Sequence, residues 1–187
     1  MKIAVFSDIH GNVEALDLIK NNVYPKVDEL WFLGDLYFDY KNNEDTPKNR
    51  QILYKWFTEA SKNKLKIIIS GNCDNRETTN NEFFNKESKL VKEVCGLKFL
   101  LEHGHQLKEE SKEKELAEFN CDVLLSGHTH LGKIQIEKDK MYLNPGSVSF
   151  PRDELNIPTY LLINEEEKTI SLRSVDENEL IEEITIY

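Results

Sequence analysis

All five histidines of this chain fall in three short clusters, and each cluster directly follows an apolar run. Ile3-Ala4-Val5-Phe6 leads to Asp8-Ile9-His10-Gly11-Asn12. Leu97 to Leu101 leads to His103-Gly104-His105, and Val123-Leu124-Leu125 leads to Gly127-His128-Thr129-His130. Two further runs end in polar groups without histidine: Leu30-Trp31-Phe32-Leu33 before Gly34-Asp35, and Ile67-Ile68-Ile69 before Gly71-Asn72-Cys73-Asp74. Imidazole combined with hard oxygen is a donor set for divalent Mn, Fe, Ni or Zn rather than for soft Cu(I). In extended backbone, residues i and i+2 face the same side. Asp8 with His10, His103 with His105, and His128 with His130 are therefore each expected to present paired side chains to one pocket. A lone pair of this kind is usually incidental, but three pairs together with Asp35 and Asn72, all at strand ends, point to one shared metal site.

Elements that deliver these groups to one place imply an α/β sheet, because ligands of such proteins bind in the crevice beyond the carboxyl ends of the strands. The spacing between the runs agrees. Residues 13–21 place Val13, Leu16 and Ile19 on one helical face, and residues 47–62 carry Ile52, Leu53, Trp56 and Phe57 behind a proline suited to a first turn. Those aromatics read as core, since an amphipathic helix buries its apolar face. After His130 the pattern changes to close-set strands, predicted at 133–138, 141–144, 159–164, 169–175 and 183–187. Alternating strands and helices followed by a run of strands predict an α/β fold of two packed mixed β-sheets flanked by helices. Residues 109–115, of both charge signs, predict the solvated face of a helix that buries Leu116 and Phe119.

No linker, repeat or low-complexity tract divides the 187 residues, so one domain over 1–187 is expected. A net charge of −10 argues against tight, non-specific nucleic-acid binding, which relies on Lys and Arg neutralising phosphates, and leaves room for a locally positive pocket. Three cysteines, with no basic stretch leading an apolar one at the N-terminus, argue against a secreted disulfide scaffold. The first apolar run is too short to span a membrane. A soluble, cytoplasmic protein is expected.

In motif order the chain resembles the calcineurin-like metallophosphoesterases, whose signature runs Asp-x-His, Gly-Asp, Gly-Asn, Gly-His-x-His. Among them it is most similar to the small, single-domain phosphodiesterase branch. Asn144-Pro145-Gly146-Ser147-Val148-Ser149, with Pro151-Arg152 just after, also fits that branch. The resemblance implies a four-layer αββα sandwich and two divalent metal ions. Asp8, His10 and His130 would hold the first ion, Asn72, His103 and His128 the second, and Asp35 would bridge them. Manganese is the first expectation, with nickel, iron or zinc as alternatives. Two divalent cations bring +4 and the ionised ligands Asp8 and Asp35 bring −2, leaving a +2 site that a phosphate complements. Such a pair, roughly 3.5–4 Å apart, can lower the pKa of a bridging water and clamp the attacking and leaving oxygens of an in-line displacement. Hydrolysis of a small phosphodiester by a hydroxide bridging the two metals is thus expected, with a phosphomonoesterase or nucleotide hydrolase as the alternative.

Residues beyond the ligands have expected roles too. His105 would orient a ligand or steady the attacking hydroxide or leaving group. Asn12 would donate to a phosphate oxygen, or cap a helix. Arg152 would contact substrate, or lie on the surface. Larger phosphatases of the superfamily have His directly after Gly-Asn, implicated in protonating the leaving group. This chain has Cys73 there, and a thiol of reference pKa about 8.5 is a poor substitute. That favours aryl or nucleotidyl phosphodiesters, whose leaving groups are stable, over alkyl monoesters. Residues 36–46, rich in Tyr, Asp and Asn, match no branch pattern and are expected to shape an individual substrate pocket.

Two rivals belong to other classes. A non-catalytic scaffold, as in the retromer-coat subunit that looks like this family, would show a degraded ligand set, and all seven positions are intact here. A nuclease would favour a basic groove that this acidic chain lacks in sequence. A sheet edge near the C-terminus leaves a homo-oligomer open.

Overall fold

The computed structural model describes residues 1–37, 46–74 and 82–186, and its strands form two sheets. In the first, β1 (Lys2–Phe6), β2 (Glu29–Phe32) and β3 (Leu65–Ile68) are parallel neighbours. In the second, β4 (Lys89–Val94) and β5 (Leu97–Glu102) form an antiparallel pair, and β5 runs parallel to β6 (Val123–Ser126). The chain then adds β7 (Gly132–Glu137) and β8 (Lys140–Pro145) to that sheet, giving the order β4-β5-β6-β8-β7. Finally β9 (Thr159–Asn164), β10 (Thr169–Ser174) and β11 (Leu180–Thr185) return to the other side of β1 as antiparallel strands, completing β11-β10-β9-β1-β2-β3.

Side chains alternate between two apolar layers, which explains why these strands read as unbroken apolar runs. Ile3, Val5, Trp31, Leu33 and Ile67 of the first sheet join Phe99, Leu101, Val123 and Leu125 of the second in one buried cluster. The intervening Ala4, Phe6, Leu30 and Phe32 pack instead with Leu16 of α1 (Val13–Leu18) and with Leu53 and Phe57 of α2 (Pro47–Ser61). On the far side, Leu100, Leu124 and Tyr142 meet Leu116 of α3 (Lys112–Glu118). The layers thus run helix, sheet, sheet, helix. Thr46 caps α2, its hydroxyl accepting from the Asn49 N–H at 3.1 Å, and Pro47 occupies the first turn, where a missing N–H costs nothing.

Three local expectations differ from the structure, and one strand was not anticipated. The α-helix predicted to residue 21 ends at Leu18 and continues as a π-helical turn over Ile19–Val23 and a 3-10 turn over Tyr24–Lys26, where Asn21, Asn22 and Pro25 are poor α-helix formers. Phe119 is 37% exposed, not buried with Leu116. The chain reverses at Asn120, with φ of 51°, so Cys121 enters the core in its place, and Lys89 Nζ lies 5.8 Å over the Phe119 ring. β4 is a largely exposed edge strand whose Lys89, Lys92 and Glu93 masked it in sequence. The last strand begins at Leu180 rather than 183; Tyr187, at the end of the predicted one, lies outside the described residues, as do 38–45 of the expected substrate segment. No helix among the described residues is long and apolar enough to cross a membrane.

Candidate metal centre

The carboxyl ends of β1, β2, β3, β5 and β6 bring their polar groups together, from both sheets. One group of donors is Asp8, His10 and His130, all buried, with ligand atoms within 4.8 Å of one another. His10 Nε2 lies 3.1 Å from His130 Nε2 and 3.6 Å from Asp8 Oδ1, which is 3.3 Å from His130 Nε2. Donors that bind one ion at about 2.0–2.2 Å are themselves separated by about 3.0–3.6 Å, so these three fit the edges of a coordination polyhedron. Among the described residues Asp8 Oδ1, which is buried, accepts no hydrogen bond, as expected of an oxygen left for a metal. A second group is Asp35, His103 and His128. His103 Nε2 is 3.3 Å from Asp35 Oδ2 and 3.1 Å from Asn72 Oδ1. Asp35 stands between the groups, its Oδ2 also 3.8 Å from His10 Nε2.

Backbone carbonyls aim the rings. His103 Nδ1–H donates to the Leu33 carbonyl at 2.8 Å and His130 Nδ1–H to that of Phe150 at 2.8 Å, which turns each Nε2 toward the cluster. The i, i+2 pairs do not arise from extended strand as expected. Asp8, His10, Asp35, His128 and His130 all have positive φ, between 51° and 67°. Asp and His tolerate this region better than most residues, yet it costs roughly 1–2 kcal/mol each, which the surrounding packing must offset. His128 joins Asp35 and His103, while His130 joins Asp8 and His10.

Charges within the cluster are mutually supportive. Burial opposes ionisation of Asp8 and Asp35, but the imidazoles outweigh it, His10 and His130 at Asp8 and His103 at Asp35, and both carboxyls are held below the ordinary range. His103 is opposed by burial and raised by Asp35 and Asp8 to about 9. Burial and the adjacent His103 push both His105 and His128 down. A raised folded-state pKa gives stability that is full below the unfolded value of 6.5 and lost as pH rises through about 9. Metal-free protein is therefore expected to melt progressively lower from pH 6.5 to 9, read by thermal unfolding in chelator; a flat profile would contradict the Asp35–His103 pair.

Supporting residues quoted in the motifs acquire roles only in three dimensions. Asp74 Oδ2 accepts from the N–H groups of Asp35 (2.9 Å) and Gly71 (2.8 Å), and Oδ1 from those of Leu36 (3.0 Å) and Tyr37 (3.1 Å). Burial and the charge of Asp35 push its carboxyl up to about 7, against four donors that favour the anion. Ser147 and Ser149 hydroxyls both donate to the Asp8 carbonyl, at 2.9 and 2.7 Å, and Asn144 Nδ2 donates to the Gly127 carbonyl at 2.7 Å. Gly71 is required by close approach: a Cβ there would lie 2.0 Å from Asp35 Oδ1.

The other sequence candidates divide. His105 is exposed at the rim, its ring centroid 5.7 Å from that of His103 and 6.3 Å from that of His128. Cys73 donates its N–H to Asp35 Oδ1 at 2.8 Å, and its Sγ lies within 4.8 Å of donor atoms of His10 and Asp35. Asn12 caps α1, its Oδ1 accepting from the Ala15 N–H at 2.9 Å. Arg152 is exposed, and its backbone N–H donates to the His130 carbonyl at 3.0 Å.

The profile of the calcineurin-like phosphoesterase superfamily domain matches residues 1–168. A probable metallophosphoesterase of Bacillus subtilis, YsnB, is 23% identical over 95% of this chain and 92% of its own. The E. coli phosphoesterase Yfce superposes with a TM-score of 0.81 at 24% identity, covering 100% of both chains. An archaeal phosphodiesterase superposes with a TM-score of 0.62 at 22% identity, over 93% of this chain and 99% of its own. The two structural likenesses show a shared fold.

Proposed function

Because this chain belongs to the calcineurin-like phosphoesterase superfamily, we propose that it is a metal-dependent phosphodiesterase acting on a small phosphodiester. Asp35 carries this reading, since one carboxylate oxygen stands 3.8 Å from His10 Nε2 and 3.3 Å from His103 Nε2, between two donor groups. In this assignment Asp8, His10 and His130 hold one divalent ion, Asn72, His103 and His128 another, and Asp35 both. Such a pair supplies an acidified water and positive charge for the phosphate. The donor set suits manganese as well as iron, nickel or zinc. Around it, the Leu33 and Phe150 carbonyls hold His103 and His130 in the tautomer that leaves Nε2 to bind. His105, with its lowered basicity, sits at the rim as a neutral imidazole able to accept a proton or to hydrogen-bond a phosphate oxygen.

The preference for diesters is supported by Cys73, a weak acid where a protonating group would be needed for poor leaving groups, and by the phosphodiesterase among neighbours of this fold. The test is to strip the protein with chelator, restore Mn, Fe, Ni, Zn or Mg singly, and assay bis(4-nitrophenyl) phosphate, 4-nitrophenyl phosphate and nucleotides. Diester hydrolysis is expected to vanish with the metal and return with it. The reloaded protein should also gain about 2.7 kcal/mol of stability per site when free metal is a hundredfold over its dissociation constant. Undiminished hydrolysis by metal-free protein would overturn the assignment.

Cys73→His tests the leaving-group argument separately. A well-placed acid is worth 10²–10⁴-fold, and an unsupported ring should deliver about tenfold in the alkyl-to-aryl rate ratio. An unchanged ratio at intact metal content would show that Cys73 does not set the preference.

A further inference from the structure

Beside the metal centre, a cavity of about 230 Å³ reaches from His128 over the outer face of the second sheet. Leu107, Leu124, Leu131 and Tyr142 give it an apolar lining, and Gly104 and Gly127 connect it to the loops that carry His103 and His128. An apolar cavity of about 150 Å³ takes a benzene ring, so this one has room for an aryl ring with a substituent. Leu131 is 43% exposed there, a partly uncovered apolar side chain next to a polar site.

The charges narrow the occupant. Glu109 at the cavity is engaged by Lys112, whose Nζ is 2.6 Å from its carboxylate and 5.7 Å over the Tyr142 ring. Lys133, also lining the cavity, is exposed and joins no ion pair among the described residues. A bare phosphate would leave the apolar lining unused, and a plain hydrocarbon would partly desolvate Lys133 while the two ammoniums of the lining, Lys112 and Lys133, face only the one carboxylate of Glu109.

We propose that this cavity receives the retained ester arm of the diester, and that the arm is an aryl group bearing a negative charge. Leu131 and Lys133 then determine specificity, the first through contact with the ring and the second through its charge. This rests on the phosphodiesterase reading above.

Three 4-nitrophenyl diesters test it, with methyl, phenyl or 3-carboxyphenyl as the second arm, so that the departing nitrophenolate is common to all. On the metal-loaded protein, KM is expected to fall from methyl to phenyl to carboxyphenyl. Lys133→Glu should raise KM for the carboxyphenyl ester relative to the phenyl ester, on the order of tenfold. Leu131→Ser should erase the advantage of phenyl over methyl. Both side chains are exposed, so folding is not at stake, and a melting curve checks it. If the KM ratios of both variants match those of the wild type, the cavity assignment is overturned. If the metal-loaded wild type hydrolyses none of the three, the phosphodiesterase reading fails, and the role of the cavity fails with it.

Discussion

Asp35→Asn is expected to lower kcat/KM for phosphodiesters by roughly a hundredfold or more, with metal content falling from the two ions per chain proposed above toward one. Loss of a hydrogen-bonding partner behind a metal ligand alone costs 10–100-fold, and in the proposed assignment Asp35 would touch both ions directly. The substitution is nearly isosteric, so packing is preserved, but its chemistry leaves the amide no good orientation. Oδ1 accepts the Cys73 N–H at 2.8 Å, while Oδ2 faces His103 Nε2 at 3.3 Å and His10 Nε2 at 3.8 Å. If the new NH₂ points at Cys73, two donors oppose each other; if it points at the imidazoles, an ammonia-like donor replaces a ligand oxygen. Either choice also removes the charge that raises His103, so its protonation in metal-free protein should shift down. Elemental analysis, kinetics and a metal titration on the same preparation decide the matter. Two ions per chain with near-normal turnover would remove Asp35 from the centre.

How much of this was legible in the chain follows from what each feature leaves in sequence. The strand ends were legible because each ligand block follows an apolar run, and two-sided burial makes such runs continuous. The split between His128 and His130 was not derivable from spacing, since extended backbone would have sent both the same way; it followed only from the family resemblance. Both have positive φ rather than extended backbone, and nothing in a His-x-His string announces that. β4 was invisible for the opposite reason: an edge strand that buries only Val94 and part of Leu90 carries charges elsewhere and loses the apolar run. Phe119 differs from its expected burial because the helix ends at Glu118 and Phe119 is its C-cap, just before the reversal at Asn120.

Asp74 shows the same limit at the candidate site, and its removal is the second large effect expected. The residue stands inside the Gly71–Asp74 motif, but its carboxylate binds backbone N–H groups, which no pattern of side-chain types records. Asp74→Ala would deprive four N–H groups of their acceptor, those of Asp35, Leu36 and Tyr37 after β2 and of Gly71 after β3. Each unsatisfied buried donor costs about 1–3 kcal/mol, and water entering the space left by the carboxylate would recover part of it. A net loss of about 3–5 kcal/mol is expected, which for a chain of this size lowers the melting temperature by roughly 10 °C. Because the two loops it joins carry Asp35 and Asn72, metal affinity should fall as well, by about 10–100-fold, as when other partners behind metal ligands are lost. Unfolding in chelator separates the two effects, since the stability loss must persist with no metal present. A metal-free variant melting within about 2 °C of wild type would mean that the loops hold their shape without Asp74, leaving Gly71 and the close packing around it as the remaining constraint on Asp35.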